Sequence, residues 1–243
     1  MKQQENTGRV ALKAMSFAPS FNKWMYSTIS PYTKGKILEI GSGLGNISKY
    51  FLQNGSSITL SDIDAFYIQY LKTEFQQLQY GKNLLSIDLQ KKDFNNNYNH
   101  LAENFDTVIL LNVLEHLEDD ASAIRNCKFL LKNKGTIIIL VPAYSFLFSE
   151  MDKALHHYRR YTAKKLVQLI CKENFLIEKS FYFNALGIGA WLYGKLMKYK
   201  APPDSNMKFF DMLTPFGKLI DRLLFQKTGL SAIVLATKNE STL

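Results

Sequence analysis

The sequence predicts an α/β fold, a doubly wound and mostly parallel sheet of seven strands with leading helices before it and a helical insert near the C-terminus. Three observations lead there. Short apolar runs alternate with helix-like stretches along the chain, and the runs end in turns rich in glycine or acid, where such sheets place their binding loops. The 243 residues, 47% hydrophobic and 21% charged, suit one α/β domain with a lid or insert and are too few for two large ones.

The organising stretch is Lys36 to Asn46. Ile37, Leu38 and Ile40 read as a strand covered on both faces. Gly41, Gly43 and Gly45 then recur at alternate positions, where a turn needs backbone freedom and a ligand can approach without meeting a Cβ. After Asn46, the spacing of Ile47, Tyr50 and Phe51 fits a helix starting there, with its free N–H groups pointing into the turn. A ligand belongs in that turn. The spacing is G-x-G-x-G, not the G-x-G-x-x-G of a dinucleotide turn, and Glu39 is a poor neighbour for a pyrophosphate.

Residues 9–32, broken by Pro19 and Pro31, read as short leading helices that can close over the turn, with Trp24 and Tyr26 either in that lid or in packing. Ser56 to Ile63 is a second strand ending in Asp62, whose carboxylate can accept from both hydroxyls of a ribose. Asp64 is its rival and fits better as a helix cap. Asn83 to Leu89 fits a third strand, with Asp88 facing an adenine amine and Leu89 flanking the ring, although Asp88 also suits a surface turn. Lys91 to His100 reads as a loop. Phe105 to Asn112 is a fourth strand, leading into Glu115-His116. Asp119 or Asp120 can cap the next helix, predicted to end at Lys134-Gly135, before a fifth strand at Thr136 to Val141 stopped by Pro142. Leu176 to Phe183 and Leu230 to Thr237 read as the last two strands. Between them come apolar Leu186 to Tyr199, a break at Ala201 to Asp204, and one further helix. In that helix Phe216, Leu219, Ile220, Leu223 and Leu224 form an apolar face opposite Lys218, Asp221 and Arg222.

The formal charge of +9 attracts anionic partners without choosing among nucleic acid, membrane and acidic small molecules. The basic residues are scattered, so a solvated surface is the default. Residues 1–8 lack the apolar core of a signal peptide, and no run is long enough to span a membrane. Cys127 and Cys171 lie in helix-like segments without metal spacing, which points to reduced, buried thiols in a cytoplasmic protein and to no metal site.

The run Glu39 to Gly45, with Asp62, Asp88-Leu89, the Phe-Asp-x-Val start at Phe105 and the pair Glu115-His116, resembles the class I S-adenosylmethionine-dependent methyltransferases over residues 30–142. His157-Tyr158-Arg159-Arg160-Tyr161-Thr162 and Asn174-Phe175 resemble a bacterial branch of that family found in polysaccharide and lipid-linked sugar pathways. Asn174 stands where a glycine is usual, and asparagine tolerates the same left-handed backbone. The resemblance implies a Rossmann-like sheet whose last two strands form an antiparallel edge. It implies S-adenosylmethionine as cofactor and S-adenosylhomocysteine as product, held by Glu39, Gly41, Ser42, Gly43, Gly45, Asn46, Asp62, Ile63, Asp88, Leu89 and Asn112. One domain is expected over 1–243: a helical lid at 1–32, a cofactor core at 33–142 and an acceptor-side half at 143–243 with the insert at 184–228.

Methyl transfer asks the protein for orientation, exclusion of water and removal of a proton when the acceptor is a hydroxyl or protonated amine. His116 is the first candidate base, with Glu115 to orient it, and His156 and His157 are rivals. Arg159 and Arg160 can hold an acidic acceptor or serve as structural caps. The expected acceptor is a small or lipid-linked molecule, methylated on oxygen or nitrogen. The insert is a cap, a lid, or a membrane-surface contact through 186–225 favoured by Trp191, Tyr193 and nearby lysines. Two other readings stay open, a nicotinamide-dependent oxidoreductase and a non-catalytic S-adenosylmethionine-binding scaffold or sensor. Nucleic-acid methylation is disfavoured because Asn112 to Glu115 is not a base-binding motif.

Overall fold

The computed structural model describes residues 2–75 and 83–239. Two helices lead the chain, α1 (Lys2–Ser16) and α2 (Pro19–Ile29). Pro19 starts α2 because a first-turn position needs no N–H donor. Strand and helix then alternate as β1 (Ile37–Ile40), α3 (Ser48–Gln53), β2 (Ile58–Asp62), α4 (Ala65–Glu74), β3 (Leu84–Ser86), α5 (Phe94–Asn97), β4 (Phe105–Leu111), α6 (Asp120–Leu130) and β5 (Leu131–Pro142). The C-terminal part adds α7 (Glu150–Ala154), α8 (Ala163–Lys172), β6 (Phe175–Phe183), α9 (Leu186–Leu196), α10 (Asp204–Met212), α11 (Thr214–Leu223) and β7 (Ser231–Lys238).

The seven strands form one sheet in the order β3-β2-β1-β4-β5-β7-β6. β1 pairs in parallel with β2 and β4, while β7 runs antiparallel to both β5 and β6. The order reverses beside β1, so the turns after β1 and β4 flank the crevice where open α/β sheets bind ligands. Every residue of β1 is buried because helices cover both faces of the sheet. On one face Leu38 and Ile40 belong to the same buried cluster as Ile124 and Cys127 of α6 and Leu166 and Ile170 of α8. On the other, Ile37 joins Trp24, Met25 and Ile29 of α2 with Phe51 and Leu71. Trp24 therefore belongs to packing, its ring 4.4 Å from that of Phe183. Asn174 has φ 58, the left-handed turn for which it substitutes a glycine.

Several local expectations change. Helix α6 stops at Leu130, short of Lys134-Gly135. The carboxylate of Asp106 takes the Lys132 ammonium at 2.9 Å and the Lys36 N–H at 2.8 Å, holding the residues after Leu131 against the start of β4, where they bulge between the pairs Phe105↔Leu131 and Thr107↔Thr136. Lys134, not Gly135, takes the left-handed backbone. The stretch read as a loop at Lys91 to His100 contains α5 and runs into a 3₁₀ turn at Asn99–Leu101, since Phe94 and Leu101 bury themselves in the core. Cys127 is buried, but Cys171 is exposed on α8.

The insert holds three helices where two were expected, and α11 is turned the other way. Thr214, Gly217 and Asp221 face inward, whereas Phe216, Leu219 and Leu223 are 62%, 53% and 66% exposed. Gly217 brings the helix against Trp24, which a Cβ there would meet at 3.2 Å. Asp221 accepts from the N–H groups of Asn184 and Ala185, both at 2.7 Å, and so caps the start of α9. A buried carboxylate with this task outweighs the apolar stripe.

Candidate active site

Two groups of side chains meet at the C-terminal ends of the central strands. The first surrounds the glycine turn. Gly41, Gly43 and Gly45 have φ of 69, 54 and 71, a region that glycine enters freely. A Cβ at Gly41 would fall 2.6 Å from Val113 Cγ2, and one at Gly43 would fall 2.9 Å from Leu12 Cδ1, so neither position has room for a side chain. At Gly45 the obstruction is Phe75 at 2.7 Å, which makes this third glycine a packing position.

Asp62, at the end of β2, accepts from the Gly43 N–H and the Asp64 N–H, both at 3.0 Å. Burial raises its pKa, and those two hydrogen bonds partly offset the rise. Glu39 is buried in β1 beside it. Burial pushes its carboxyl up to about 7, although hydrogen bonds from Ser48 and Ser42 act the other way. Ser42 itself donates its N–H to the Ser61 carbonyl at 2.8 Å. Asn112, in left-handed conformation after β4, donates its N–H to the Leu140 carbonyl at 2.8 Å and leaves its side chain exposed.

Helix α1 lies across this turn. Asn46 Nδ2 donates to the Leu12 carbonyl at 2.9 Å, and Arg9 pairs with Asp64 at 3.2 Å while lying over the Phe66 ring. Asp64 also caps α4 by accepting from the Phe66 N–H at 2.8 Å, as its position suggested. Ile63 is 64% exposed beside Asp62. Asp88 sits one strand further out and accepts from the Gln90 N–H at 2.8 Å, the bond of a turn. Leu89 is buried in the core.

The second group lies past the end of β4. Glu115, in a 3₁₀ turn at Leu114–His116, is fully buried, and neither of its carboxylate oxygens has a hydrogen-bond partner. Burial pushes its pKa up to about 8. The His116 ring stands 4.6 Å from that of His157, centre to centre and nearly perpendicular. Burial, and next the neighbouring His157, push His116 down to about 4. His157 Nδ1 is 2.8 Å from Asp152 Oδ1, which also accepts from Arg160 Nε at 2.8 Å. Burial would raise the Asp152 carboxyl, but the His157 and Arg160 contacts outweigh it and hold the group below the usual range. One ligand atom from each of Glu115, His116 and His157 falls within 4.8 Å of the others, although the sequence reading expected no metal ligands.

The rival base His156 points to solvent. Arg159 is occupied by Asp120 at 2.9 Å and the Glu118 carbonyl at 2.7 Å, so it ties two loops together. Arg160 is buried under Trp191, 4.2 Å from the ring centre, and its Nη2 has no partner. The residue that sequence reasoning missed is Asp152. Its signal was available as Ser149-x-x-Asp152, a capping box whose acid can also reach outward, and the Ser149 N–H does bond Asp152 at 2.8 Å.

Two buried carboxylates and glycine amides suit a cationic amino acid and a ribose better than a pyrophosphate. A family model described as "Methyltransferase domain" matches residues 38–137, which span this turn and both strands beside it. Residues 38–137 therefore carry a methyltransferase domain. Among curated relatives of this methyltransferase is the ubiquinone biosynthesis O-methyltransferase of Haemophilus ducreyi, 27% identical over 180 residues that cover 65% of this chain and 72% of the relative. An S-adenosylmethionine-dependent methyltransferase from Archaeoglobus fulgidus superposes with TM-score 0.56 at 18% identity, covering 89% of this chain and 94% of that one. A phosphoethanolamine N-methyltransferase from Haemonchus contortus, solved with phosphomonomethylethanolamine and S-adenosylhomocysteine, gives TM-score 0.59 at 14% identity over 87% of this chain and 52% of its own. The two structural likenesses speak for the fold of the methyltransferase.

Proposed function

We propose that this methyltransferase methylates a hydroxyl oxygen of a small or lipid-linked acceptor. The observation that carries the reading is the buried, unpartnered Glu115 carboxylate beside His116 and His157. When bound, S-adenosylmethionine supplies an activated methyl group on a sulfonium; the protein orients the acceptor and takes its proton. Glu39, Gly41, Gly43 and Asp62 hold the cofactor, with Ser42, Asn46, Ile63 and Asn112 around it, and α1 closes over it as a lid. Asp88 reaches the adenine end after giving up its turn bond. Leu89 stays behind it in the core. The Glu115, His116 and His157 cluster receives the acceptor hydroxyl. Oxygen is preferred over nitrogen because the curated relatives are O-methyltransferases. A panel of phenols, sugars and amines with labelled cofactor tests this: label on hydroxyl compounds, lost in Glu115→Gln, is the expected result, and transfer to amines alone contradicts it.

The convergence of two imidazoles and a carboxylate favours a second reading, in which the cluster works with a divalent ion bound between the three side chains. Loss of turnover on chelation, restored by zinc or manganese, supports that reading over direct proton removal.

A further inference from the structure

An apolar stripe that faces solvent is costly unless something covers it. On α9, Leu192, Tyr193 and Leu196 are 44%, 52% and 79% exposed. On α11, Phe216, Leu219 and Leu223 are exposed as well, because Asp221 and Gly217 hold the opposite side of the helix inward. None of the described helices is long and apolar enough to cross a membrane.

Charge chooses the partner. Between residues 186 and 227 the chain has Lys195, Lys198, Lys200, Lys208, Lys218, Arg222 and Lys227 against Asp204, Asp211 and Asp221. Two of the three acids are spent internally: Asp211 accepts from the Phe21 N–H at 2.8 Å, and Asp221 caps α9. A second copy of this basic, apolar face would repel the first, whereas an anionic bilayer satisfies both the cations and the apolar side chains.

The same face adjoins the candidate acceptor site. Trp191 of α9 donates to the Leu147 carbonyl at 2.9 Å and stacks over Arg160, which shares Asp152 with His157. We propose that the α9–α11 face docks on the surface of an anionic membrane, so that a lipid-borne acceptor enters beside Trp191. The docking stands on the exposed face alone; only the entry route rests on the acceptor-side reading of Glu115, His116 and His157.

Flotation of the full chain with phosphatidylcholine vesicles, with and without about 30% phosphatidylglycerol, tests it. Expected is strong partition to the anionic vesicles only, at least about tenfold weaker for Phe216→Ser/Leu223→Ser and weakened by added salt. These side chains are exposed, so S-adenosylhomocysteine should bind the double variant as it binds the wild type, which separates a failure to dock from a failure of the cofactor site. No partition to anionic vesicles, equal partition of the variant, or a concentration-dependent dimer that the double substitution abolishes would overturn the proposal.

Discussion

At Glu39, burial lifts the carboxyl from 4.5 to about 7, so the folded chain favours its protonated form. The sign follows from that direction. The stabilisation is fully present below pH 4.5 and is lost as pH rises through about 7, on the order of 3 kcal/mol across the window. Ligand-free protein should therefore become easier to unfold in urea from about pH 5 to about pH 7.5, and Glu39→Gln should flatten the trend. An ammonium group beside Glu39 needs the ionised form, so the affinity for S-adenosylhomocysteine should rise over the same range in wild type and stay flat in Glu39→Gln; titration calorimetry at several pH values reads this. Gly41→Ala should cost far more than a usual surface change, because it combines a strained φ of 69 with a Cβ 2.6 Å from Val113. Loss of cofactor binding in a chain whose far-UV spectrum is unchanged is the expected outcome.

Single elements are held by side chains of other elements. The start of α9 takes its cap from Asp221 on α11, two charge-assisted bonds to otherwise unpaired N–H groups. Asp221→Ala should cost about 2–4 kcal/mol in urea unfolding, with Asp221→Asn losing less because an amide oxygen still accepts. A cost near zero would show that water replaces the cap. Such distant partners explain what could be read in advance. The strands were legible because apolar runs ending in glycine or acid are local signals: Ile37 to Gly45, Ser56 to Asp62 and Phe105 to Asn112 each carry their own. The end of α6 was not, because it depends on Asp106, far away in sequence, drawing in Lys132. The facing of α11 was misread for the same reason. Its apolar stripe argues for burial until Asp221 is known to be needed inside. In the site, Asp62 and Glu115-His116 could be named from their positions after strands. Asp152 was legible only as the acid of a capping box after Ser149; its partners His157 and Arg160 are joined to it by the fold around α7.

Over the whole molecule, the sheet order places the glycine turn of β1 next to the loop after β4, so the proposed cofactor and acceptor sides share one crevice. Helix α1 lies across the glycine turn through the Asn46–Leu12 bond, and α9 reaches the His157 cluster through Trp191 and Arg160. Truncation of residues 2–16 should weaken S-adenosylhomocysteine binding, because Leu12 would no longer lie against the turn and the Arg9–Asp64 pair would be lost. Unchanged affinity would make α1 a structural helix only. Calorimetric titration of wild type and Asp62→Ala with S-adenosylmethionine, and separately with NADH, tests the central claim most directly. Binding of S-adenosylmethionine but not NADH, weakened at least about tenfold in Asp62→Ala, is the expected result. Binding of NADH alone, or equal S-adenosylmethionine affinity in both proteins, would contradict it.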